Sequence, residues 1–458
     1  LDQVEDGYRV LIHVLGRGVK PVSFFRTSPD LDQLAPTLEE LSTEIAEKIF
    51  KKKPPEEKPA PKVAQKQVDP FLTAHPEKLY RKGQLRSKGA PAVTGGQGML
   101  MARSSRKLPI DALAMEAGDL NGDGSIEVVL LAQSMLSLYH FAEDHSQHLG
   151  NYPIPGHLAL HAIFLADING NNLQEMYISA SSGNRPASLV LEWDGQSFRS
   201  LYSHVPYYLR PSLDAAGEEV LLAQSAHIRR PAFGDAPPFG KVHTMGFDAA
   251  GGMQRMGLYP LPKGLGLFDF IRVDLDQDGG MEFVGVTERN RLVVFDKAGS
   301  LLWRSEEVYA VSKDVLGSLV SNQEAERETP YSRVKRYMHT RLIAQDHTGD
   351  GRPEIIVGQN HLGGMKFFSD LRSFDGSSLA VLRWDGTQME VLGQTARKPG
   401  YMVDYQLVAY AEGAGQSSLF FIESKGGGNP LNFWGADESV LHLYTLQAQT
   451  GAGIVTNE

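Results

Sequence analysis

The sequence predicts an all-β fold, and more narrowly a β-propeller, from three observations. A nine-residue Asp-rich loop occurs four times, and each copy runs directly into an apolar, strand-like segment. Hairpin signals such as Trp-Asp-Gly follow these segments. No helical stripe separates the units. Short strands in repeated units are typical of radial arrays, in which each sheet buries its faces against its neighbours.

The composition excludes several classes of protein. The chain has 458 residues, of which 41% are hydrophobic and 22% charged, as in an ordinary globular protein. Its net charge of −10 provides no basic field, so we expect no nucleic-acid partner. No apolar run approaches the roughly 20 residues that cross a bilayer, so we expect no transmembrane segment. The absence of cysteine excludes disulfides and thiolate metal sites, and it fits an oxidising compartment.

Residues 1–50 read as a hairpin over 8–28 followed by an amphipathic helix. The helical stripe consists of Leu34, Leu38, Leu41, Ile45 and Ile49, at spacings of three and four. This β-β-α piece is too small to hold a core alone, so we interpret it as the C-terminal part of an α/β domain. We therefore expect the natural N-terminus, with any signal or lipid anchor, to lie upstream of Leu1.

The N-terminal piece resembles the closing hairpin and helix of the TolB N-terminal-like or FlgO-like domains of bacterial envelope proteins. That resemblance covers about forty residues and implies a periplasmic or cell-surface location. Residues 51–70 are dominated by Lys, Glu and Pro and contain no aromatic residue, so they cannot bury enough surface to fold. They are predicted to be a linker to a propeller over 71–458.

From about residue 105 the repeating unit consists of a strand, the Asp-rich loop, a second strand and a polar hairpin. Hairpins of this kind lie at 189–202, 291–305 and 379–393. Two further units have a shortened loop at 213–219 and a loop that has lost most of its ligands at 409–416. Six units of about 60 residues then fill 105–458, which predicts six blades. Seven blades are the alternative, because residues 71–104 either add a strand to the last blade or form a partial blade.

The four loops carry oxygen-bearing side chains at their first, third, fifth and ninth positions. Alternate residues of a tight loop point inward together, and Ca²⁺ takes six to eight oxygen ligands, so the spacing predicts calcium. The four sets are Asp119, Asn121, Asp123 and Glu127; Asp167, Asn169, Asn171 and Glu175; Asp274, Asp276, Asp278 and Glu282; and Asp346, Thr348, Asp350 and Glu354.

The pattern Asp-x-Asn/Asp-x-Asp-Gly-x-x-Glu before a β run resembles the FG-GAP/VCBS repeat, the calcium-bearing blade of integrin α-subunit propellers and many bacterial surface proteins. The resemblance covers residues 105–458 and implies that the four sets above bind structural calcium. It also implies backbone carbonyl ligands at the seventh position, from Ser125, Leu173, Gly280 and Arg352. Two features differ: the ninth residue is Glu where Asp is commoner, and the FG and GAP signatures are not evident.

Two other interpretations of the loops remain open. The Asp and Asn side chains could cap backbone amides as Asx turns without any metal. A helix–loop–helix calcium site fits less well, because β runs flank the loops and no Glu stands at the twelfth position. If calcium binds, the third loop with four carboxylates should bind it most strongly, and the second loop with two most weakly.

For function, the sequence favours a non-enzymatic binding or scaffold module. Two long segments, 312–340 and 359–377, combine aromatic residues with arginine, which is the composition of interface anchors, and predict a protein or glycan partner. The alternative is a polysaccharide lyase or hydrolase with a Lys/Tyr/Asp or two-carboxylate site at the channel mouth. A third possibility is a purely structural spacer. No sequence motif of a known catalytic site is present, so no catalytic residue is predicted.

Overall fold

The computed structural model describes residues 2–4, 7–16, 19–29, 37, 41, 44, 98–108, 110–141, 146–183, 185–226, 239–248, 252–316, 336–346, 350–363, 372, 374–409, 416–424 and 438–448. These residues form one N-terminal sheet and six antiparallel sheets of four main strands each. The six sheets are the blades of a β-propeller. The predictions of an all-β chain and of six blades are therefore confirmed.

The strands follow one another blade by blade. The N-terminal sheet contains β1 (Asp2–Val4), β2 (Gly7–Gly16) and β3 (Val19–Ser28), and β4 (Gly98–Leu108) precedes the first blade. Blade 1 contains β5 (Ala112–Gly118), β6 (Glu127–Ala132), β7 (Met135–Phe141) and β8 (Ser146–Pro153). Blade 2 contains β9 (Leu158–Ala166), β10 (Glu175–Ser182), the short β11 (Arg185–Pro186), β12 (Ser188–Trp193) and β13 (Phe198–Val205). Blade 3 contains β14 (Tyr208–Leu213), β15 (Glu219–Ala226), β16 (Phe239–Phe247) and β17 (Met253–Leu258).

Blades 4 to 6 repeat the same order. Blade 4 contains β18 (Phe270–Val273), β19 (Glu282–Val286), β20 (Arg291–Phe295) and β21 (Leu301–Val308). Blade 5 contains β22 (Leu342–Gln345), β23 (Glu354–Leu362), β24 (Phe374–Trp384) and β25 (Met389–Gln394). Blade 6 contains β26 (Tyr401–Ala409), β27 (Gln416–Ser424) and β28 (Ser439–Ala448), and its outermost strand is β4.

Strand β4 closes the ring. It pairs antiparallel with β28 from Gly98 to Leu108, so one blade combines strands from both ends of the propeller. Neighbouring blades touch in order around the circle, and β26 of blade 6 lies against β5 of blade 1. The sequence left open whether residues 71–104 add a strand to the last blade or form a partial blade. Residues 98–104 belong to β4 and therefore add a strand to the last blade.

Burial explains the sequence pattern of each blade. The second strands lie between the adjoining blades, so β6 and β10 are buried along almost their whole length. The third strand β12 is buried at every residue, although it includes Ser188 and Glu192. The fourth strands lie at the outside of the ring, where β17 is exposed along almost its whole length. The alternation of polar and apolar residues in the predicted hairpins comes from these outer strands.

A buried ionic cluster joins three blades at the centre of the ring. Arg341, which immediately precedes β22, donates from Nε and Nη2 to the Asp404 carboxylate on β26, at 2.8 and 2.9 Å. Its Nη1 donates to Glu116 Oε1 on β5 at 2.5 Å. One guanidinium thus holds the inner strands of blades 1, 5 and 6 together, and each buried carboxylate has a cationic partner.

At the N-terminus, β2 and β3 form the predicted hairpin, and β1 adds a third strand that the sequence did not predict. Within the predicted helix, Thr37, Leu41 and Glu44 are helical, and Leu41 is buried. Arg26 Nη2 on β3 lies 2.6 Å from Glu44 Oε2. The rest of that helix and the linker at 51–70 lie outside the described residues. None of the described helical residues belongs to a helix long and apolar enough to cross a membrane.

Candidate metal loops and the central channel

All four Asp-rich loops join the first and second strands of a blade, so they lie on the same rim of the propeller. We call this the acidic rim and define it by residues 119–126, 167–174, 274–281 and 346–353. The opposite rim, which we call the insertion rim, carries the connections between blades, including residues 309–341, and the β23–β24 connection. The shortened loop of blade 3 is a tight turn in which Asp214 Oδ1 accepts the Ala216 and Glu218 N–H groups.

One hydrogen bond is common to all four loops: the first Asp accepts the N–H of the sixth residue on Oδ2. The donors and distances are Gly124 to Asp119 at 2.8 Å, Asn172 to Asp167 at 2.8 Å, Gly279 to Asp274 at 3.0 Å and Gly351 to Asp346 at 2.7 Å. The sixth residue has a positive φ of 66 to 86° in every loop. This left-handed conformation explains why the position is glycine in three loops and Asn in the second.

The ninth residue, Glu, folds back over the loop. Its Oε2 accepts the N–H of the second residue in three loops, at 3.0 Å from Leu120 to Glu127, 2.9 Å from Ile168 to Glu175 and 3.0 Å from Leu275 to Glu282. The shorter Asp side chain would not extend as far from the start of the second strand. The structure therefore gives a reason for Glu at this position that does not depend on a metal.

The loop glutamates are buried beside other carboxylates. Burial, reinforced by Asp119 and Asp123, raises the pKa of Glu127 to about 7. Burial likewise raises the pKa of Glu175 to about 7, and it raises the pKa of Glu282. Burial thus shifts these carboxyl groups towards the protonated form, so a metal that binds here would compete with protons.

The third loop has the donor set that best fits a cation. Oxygen atoms of Asp274, Asp276 and Glu282 lie within 4.8 Å of one another. Asp274 Oδ1 is buried and has no hydrogen-bond partner, although a buried carboxylate oxygen normally has one. Lys297 Nζ lies 2.7 Å from Asp278 Oδ2 at the exposed side of the loop. The three converging carboxylates thus include one free oxygen that calcium would bind.

The fourth loop already contains a cation of its own. Asp346, Asp350 and Glu354 converge within 4.8 Å, but the Arg383 guanidinium lies between two of them. Its Nη1 lies 3.0 Å from Asp350 Oδ2 and its Nε 3.1 Å from Glu354 Oε1. Arg383 and a metal would compete for the same oxygens. The predicted ligand Thr348 lies outside the described residues.

In the second loop, cross-strand pairing adds a carboxylate that the sequence did not suggest. Glu192 on β12 pairs with Glu175 and is fully buried. Its Oε2 accepts the Asn171 amide at 2.8 Å, and its Oε1 pairs with Arg199. Asn169 donates to Glu175 Oε1. The second loop is therefore richer in charge than its own nine residues indicate.

The remaining predicted ligands hold the loop backbone. The fifth residue accepts on Oδ1 the N–H of the seventh in every loop: Ser125 to Asp123 at 2.7 Å, Leu173 to Asn171 at 2.9 Å, Gly280 to Asp278 at 2.7 Å and Arg352 to Asp350 at 2.9 Å. The third residue accepts the N–H of the fifth, at 3.1 Å for Asn121, 3.0 Å for Asn169 and 3.2 Å for Asp276. The Asx-turn interpretation thus describes real contacts, which leave further carboxylate lone pairs for a cation.

The inner strands surround a central channel that opens at both rims. Towards the acidic rim it forms a cavity of about 1120 Å³, counting its open mouth, lined by Glu116, Arg210 and Arg272 among others. Towards the insertion rim, a second cavity of about 680 Å³ is lined by Asp269, His339 and Arg341. In that cavity Asp269 is already engaged, because it pairs with Arg336 and with His339 Nδ1.

Parts of both predicted partner segments meet on the insertion rim. Arg372 of the second segment stacks on the Tyr337 ring of the first, with its Cζ 3.5 Å from the ring centroid. Residues 317–335 and 364–371 lie outside the described residues. The segment predicted at 359–377 is only partly a loop, because β23 extends to Leu362 and β24 begins at Phe374. The paired strands therefore extend to Leu362 and Phe374 within the stretch that the sequence predicted to be an insertion.

No protein-family model and no curated protein matches the chain. Among solved structures it is similar to BBS1N in complex with ARL6DN, with 12% identity, a TM-score of 0.39, and coverage of 77% of this chain and 98% of that one. It is also similar to a glucose dehydrogenase, at 11% identity and a TM-score of 0.37, over 75% of this chain and 98% of that one. A third similar structure is a europium-containing methanol dehydrogenase, with 8% identity and a TM-score of 0.34, and with coverage of 72% of this chain and 81% of that one. The FG-GAP/VCBS resemblance stays a prediction, and the six blades are read from the strand pairing itself.

Proposed function

We propose that the chain is a binding or scaffold propeller whose acidic rim is stabilised by calcium. The observation that carries the metal assignment is the third loop, where three carboxylates converge and Asp274 Oδ1 is buried without a partner. Asp274, Asp276, Asp278 and Glu282 would hold the ion, with the Gly280 carbonyl. Calcium would neutralise carboxylates that crowd one turn, a structural contribution. The first and second loops have similar oxygen sets, and the fourth needs Arg383 to move aside.

The calcium assignment is tested by thermal unfolding of the full chain with calcium or with chelator. We expect calcium to raise the melting temperature, and Asp274→Asn to remove much of the increase because it replaces the free carboxylate oxygen. Asp214→Asn is the matched control, since Asp214 occupies the equivalent turn of blade 3 without the other ligands. A melting temperature that does not respond to calcium, or a loss of response equal in both variants, would contradict the assignment.

The proposed partner surface is the insertion rim, and the partner is a protein or a glycan. The support is the contact between Arg372 and Tyr337, which brings the two Arg- and aromatic-rich segments to one place. The absence of cysteine and the resemblance of the N-terminal piece to envelope domains support a location in the bacterial envelope, in the periplasm or at the surface. Residues 1–50 would then be a separate domain on the 51–70 linker.

The binding function is tested by affinity capture from an envelope fraction, with the wild type and Arg372→Ala compared side by side. We expect a protein or glycan retained by the wild type and depleted by the variant, because the guanidinium at the segment junction is lost. Arg304→Ala, on an exposed outer strand, is the control. Equal recovery on all three proteins would place the contact elsewhere or show it to be non-specific.

A second candidate function has one observation in its favour. Lys313, Asp314 and Tyr401 meet at the insertion-rim mouth, with the Tyr401 hydroxyl 3.1 Å from Asp314 Oδ2 and the Lys313 ammonium 5.0 Å from the Tyr401 ring centroid. A polysaccharide lyase could use such a set. However, burial raises the pKa of Tyr401 and moves it away from the range of a general base at neutral pH. Formation of unsaturated uronate product, lost in Tyr401→Phe, would favour this candidate over the scaffold.

A further inference from the structure

The channel wall contains two arginines, the half-buried Arg210 and the buried Arg272, that form no salt bridge among the described residues. Asp269 also lines the channel with Arg210, but its carboxylate is paired with Arg336 and His339. Arg210 lies on β14 and Arg272 on β18, the inner strands of adjacent blades, and both line the cavity towards the acidic rim. Among the described residues, no carboxylate forms a salt bridge with either guanidinium. Arg341, by contrast, pairs with Asp404.

Arg210 keeps most of its donors free. Its Nη1 donates to the Leu267 carbonyl at 2.7 Å, and its Cζ lies 5.7 and 5.2 Å from the ring centroids of Phe164 and Phe270. Its Nε and Nη2 have no acceptor among the described residues. Burial lowers the pKa of Arg210 to about 10, so the guanidinium stays charged at neutral pH. A charged group in such surroundings is stabilised when an anion accepts hydrogen bonds from its unused N–H donors.

Arg272 supplies the second cationic group. Its Nη1 donates to the Met281 carbonyl at 3.2 Å, and its Cζ lies 3.9 Å from the Phe283 ring centroid. Its Nε is buried and has no hydrogen-bond partner. Aromatic stacking accounts for the faces of both guanidinium groups but leaves in-plane N–H donors unused.

The rest of the cavity indicates what kind of anion fits. Its walls include the apolar side chains of Leu165, Ile271 and Ala344. Of its carboxylates, Glu116 is held by Arg341 and Gln406, whereas Glu219 lies exposed at the mouth. The site therefore combines free guanidinium donors with hydrocarbon walls, a chemistry that matches a short organic acid better than a hydrated inorganic ion.

We propose that the central channel binds a small oxyanion, a carboxylate or phosphate group of a free solute, against Arg210, with Arg272 as a second cationic contact. The planar guanidinium presents two parallel N–H donors that match both oxyanions. Neither arginine belongs to the predicted calcium ligands or to the partner surface on the insertion rim, although Arg272 contacts the third loop through the Met281 carbonyl.

The test is calorimetric titration of the chelator-treated full chain with sodium succinate, sodium butyrate or sodium phosphate at constant ionic strength, with chloride as the reference. We expect saturable binding of at least one of these probes. The probe that binds distinguishes a carboxylate from a phosphate source. Such salts also stabilise proteins because they are excluded from the protein surface. Only the saturable part of the titration heat is therefore taken as binding to a site.

Variants localise the binding. Arg210→Gln should weaken it about tenfold or more, because the bidentate charge-assisted contact is lost. Arg210→Lys keeps the positive charge but lacks the planar guanidinium, so it should weaken binding less than Arg210→Gln does. It replaces the Gln variant in this test if that variant does not fold. Arg255→Gln, an exposed arginine on β17, should bind as the wild type does. Absence of saturable binding in the wild type, or equal affinity in the wild type and in a folded Arg210 variant, would overturn the proposal.

Discussion

Asp274 differs from Asp119, Asp167 and Asp346 in the hydrogen bonding of its Oδ1 atom. In those three residues Oδ1 accepts a backbone N–H within the loop, whereas Asp274 Oδ1 accepts none. All four satisfy the same sequence pattern, and all four hold the sixth residue in the same way. At the scale of the residue, the capacity to bind a cation therefore depends on which lone pairs the backbone leaves free.

His161 is the residue whose titration the structure predicts most directly. Burial beside the Tyr208 ring lowers its pKa to about 4, and its Nε2 lies 2.7 Å from Ser181 Oγ. In the unfolded chain the pKa is about 6.5, so the unfolded state binds the extra proton between pH 6.5 and 4. Stability from this group is complete above pH 6.5 and decreases as the pH falls through that window, by up to ~3 kcal/mol.

The measurement is the free energy of urea unfolding between pH 4 and 8 in chelator. We expect His161→Gln, which can keep a hydrogen bond to Ser181, to show a smaller loss of stability on acidification than the wild type. His148→Gln is the control, because that imidazole is exposed on the outer strand β8. Parallel pH profiles for all three proteins would contradict the assignment.

At the scale of the element, three of the four loops receive a residue from the third strand of their blade. Strand pairing places Arg383 beside Glu354, His140 opposite Glu127 and Glu192 opposite Glu175. The nine-residue motif alone could not predict this, since Arg383 follows Glu354 by 29 positions. The position of each loop between the first two strands was predictable, because strand and turn patterns are local. The residue facing it was not, because the length of the intervening hairpin sets the register.

The fourth loop should respond to removal of its internal cation. Arg383→Gln leaves Glu354, which is fully buried, without its guanidinium partner. We expect a loss of about 3 kcal/mol of stability in chelator, together with a larger stabilisation by calcium than in the wild type, because the ion no longer competes with Arg383. Urea unfolding with and without calcium measures both effects. Arg304→Gln, on the exposed β21, should change neither, and an unaltered calcium response in Arg383→Gln would exclude competition at this loop.

At the scale of the whole molecule, β4 and the Arg341 cluster hold the ring closed. β4 completes blade 6 from a position before blade 1, and Arg341 reaches Glu116 across 225 positions of sequence. Both contacts join distant parts of the chain, and the loss of either should weaken every blade because each blade buries its faces against its neighbours.

Truncation tests the closure. A fragment of residues 98–458 keeps β4 and should unfold at the urea concentration of the full propeller. A fragment of residues 110–458 lacks β4, leaves the edge of β28 unpaired, and should unfold at lower urea or aggregate. Size-exclusion chromatography and urea unfolding distinguish the two. Equal stability of both fragments would show that the ring does not need this strand.

The sequence alone determined the repeat, the propeller class and the position of the acidic loops. These features depend on local patterns: the turn chemistry of Gly124 and its equivalents, and the apolar runs that follow. Only the tertiary structure decided that Arg383 fills the fourth loop, that Asp274 Oδ1 is free, and that Arg210 and Arg272 line the channel without carboxylate partners. The physical reason is that charge compensation inside a protein depends on distance in space. In a closed ring, the nearest partner of a buried charge can belong to another strand or blade, far away in the sequence.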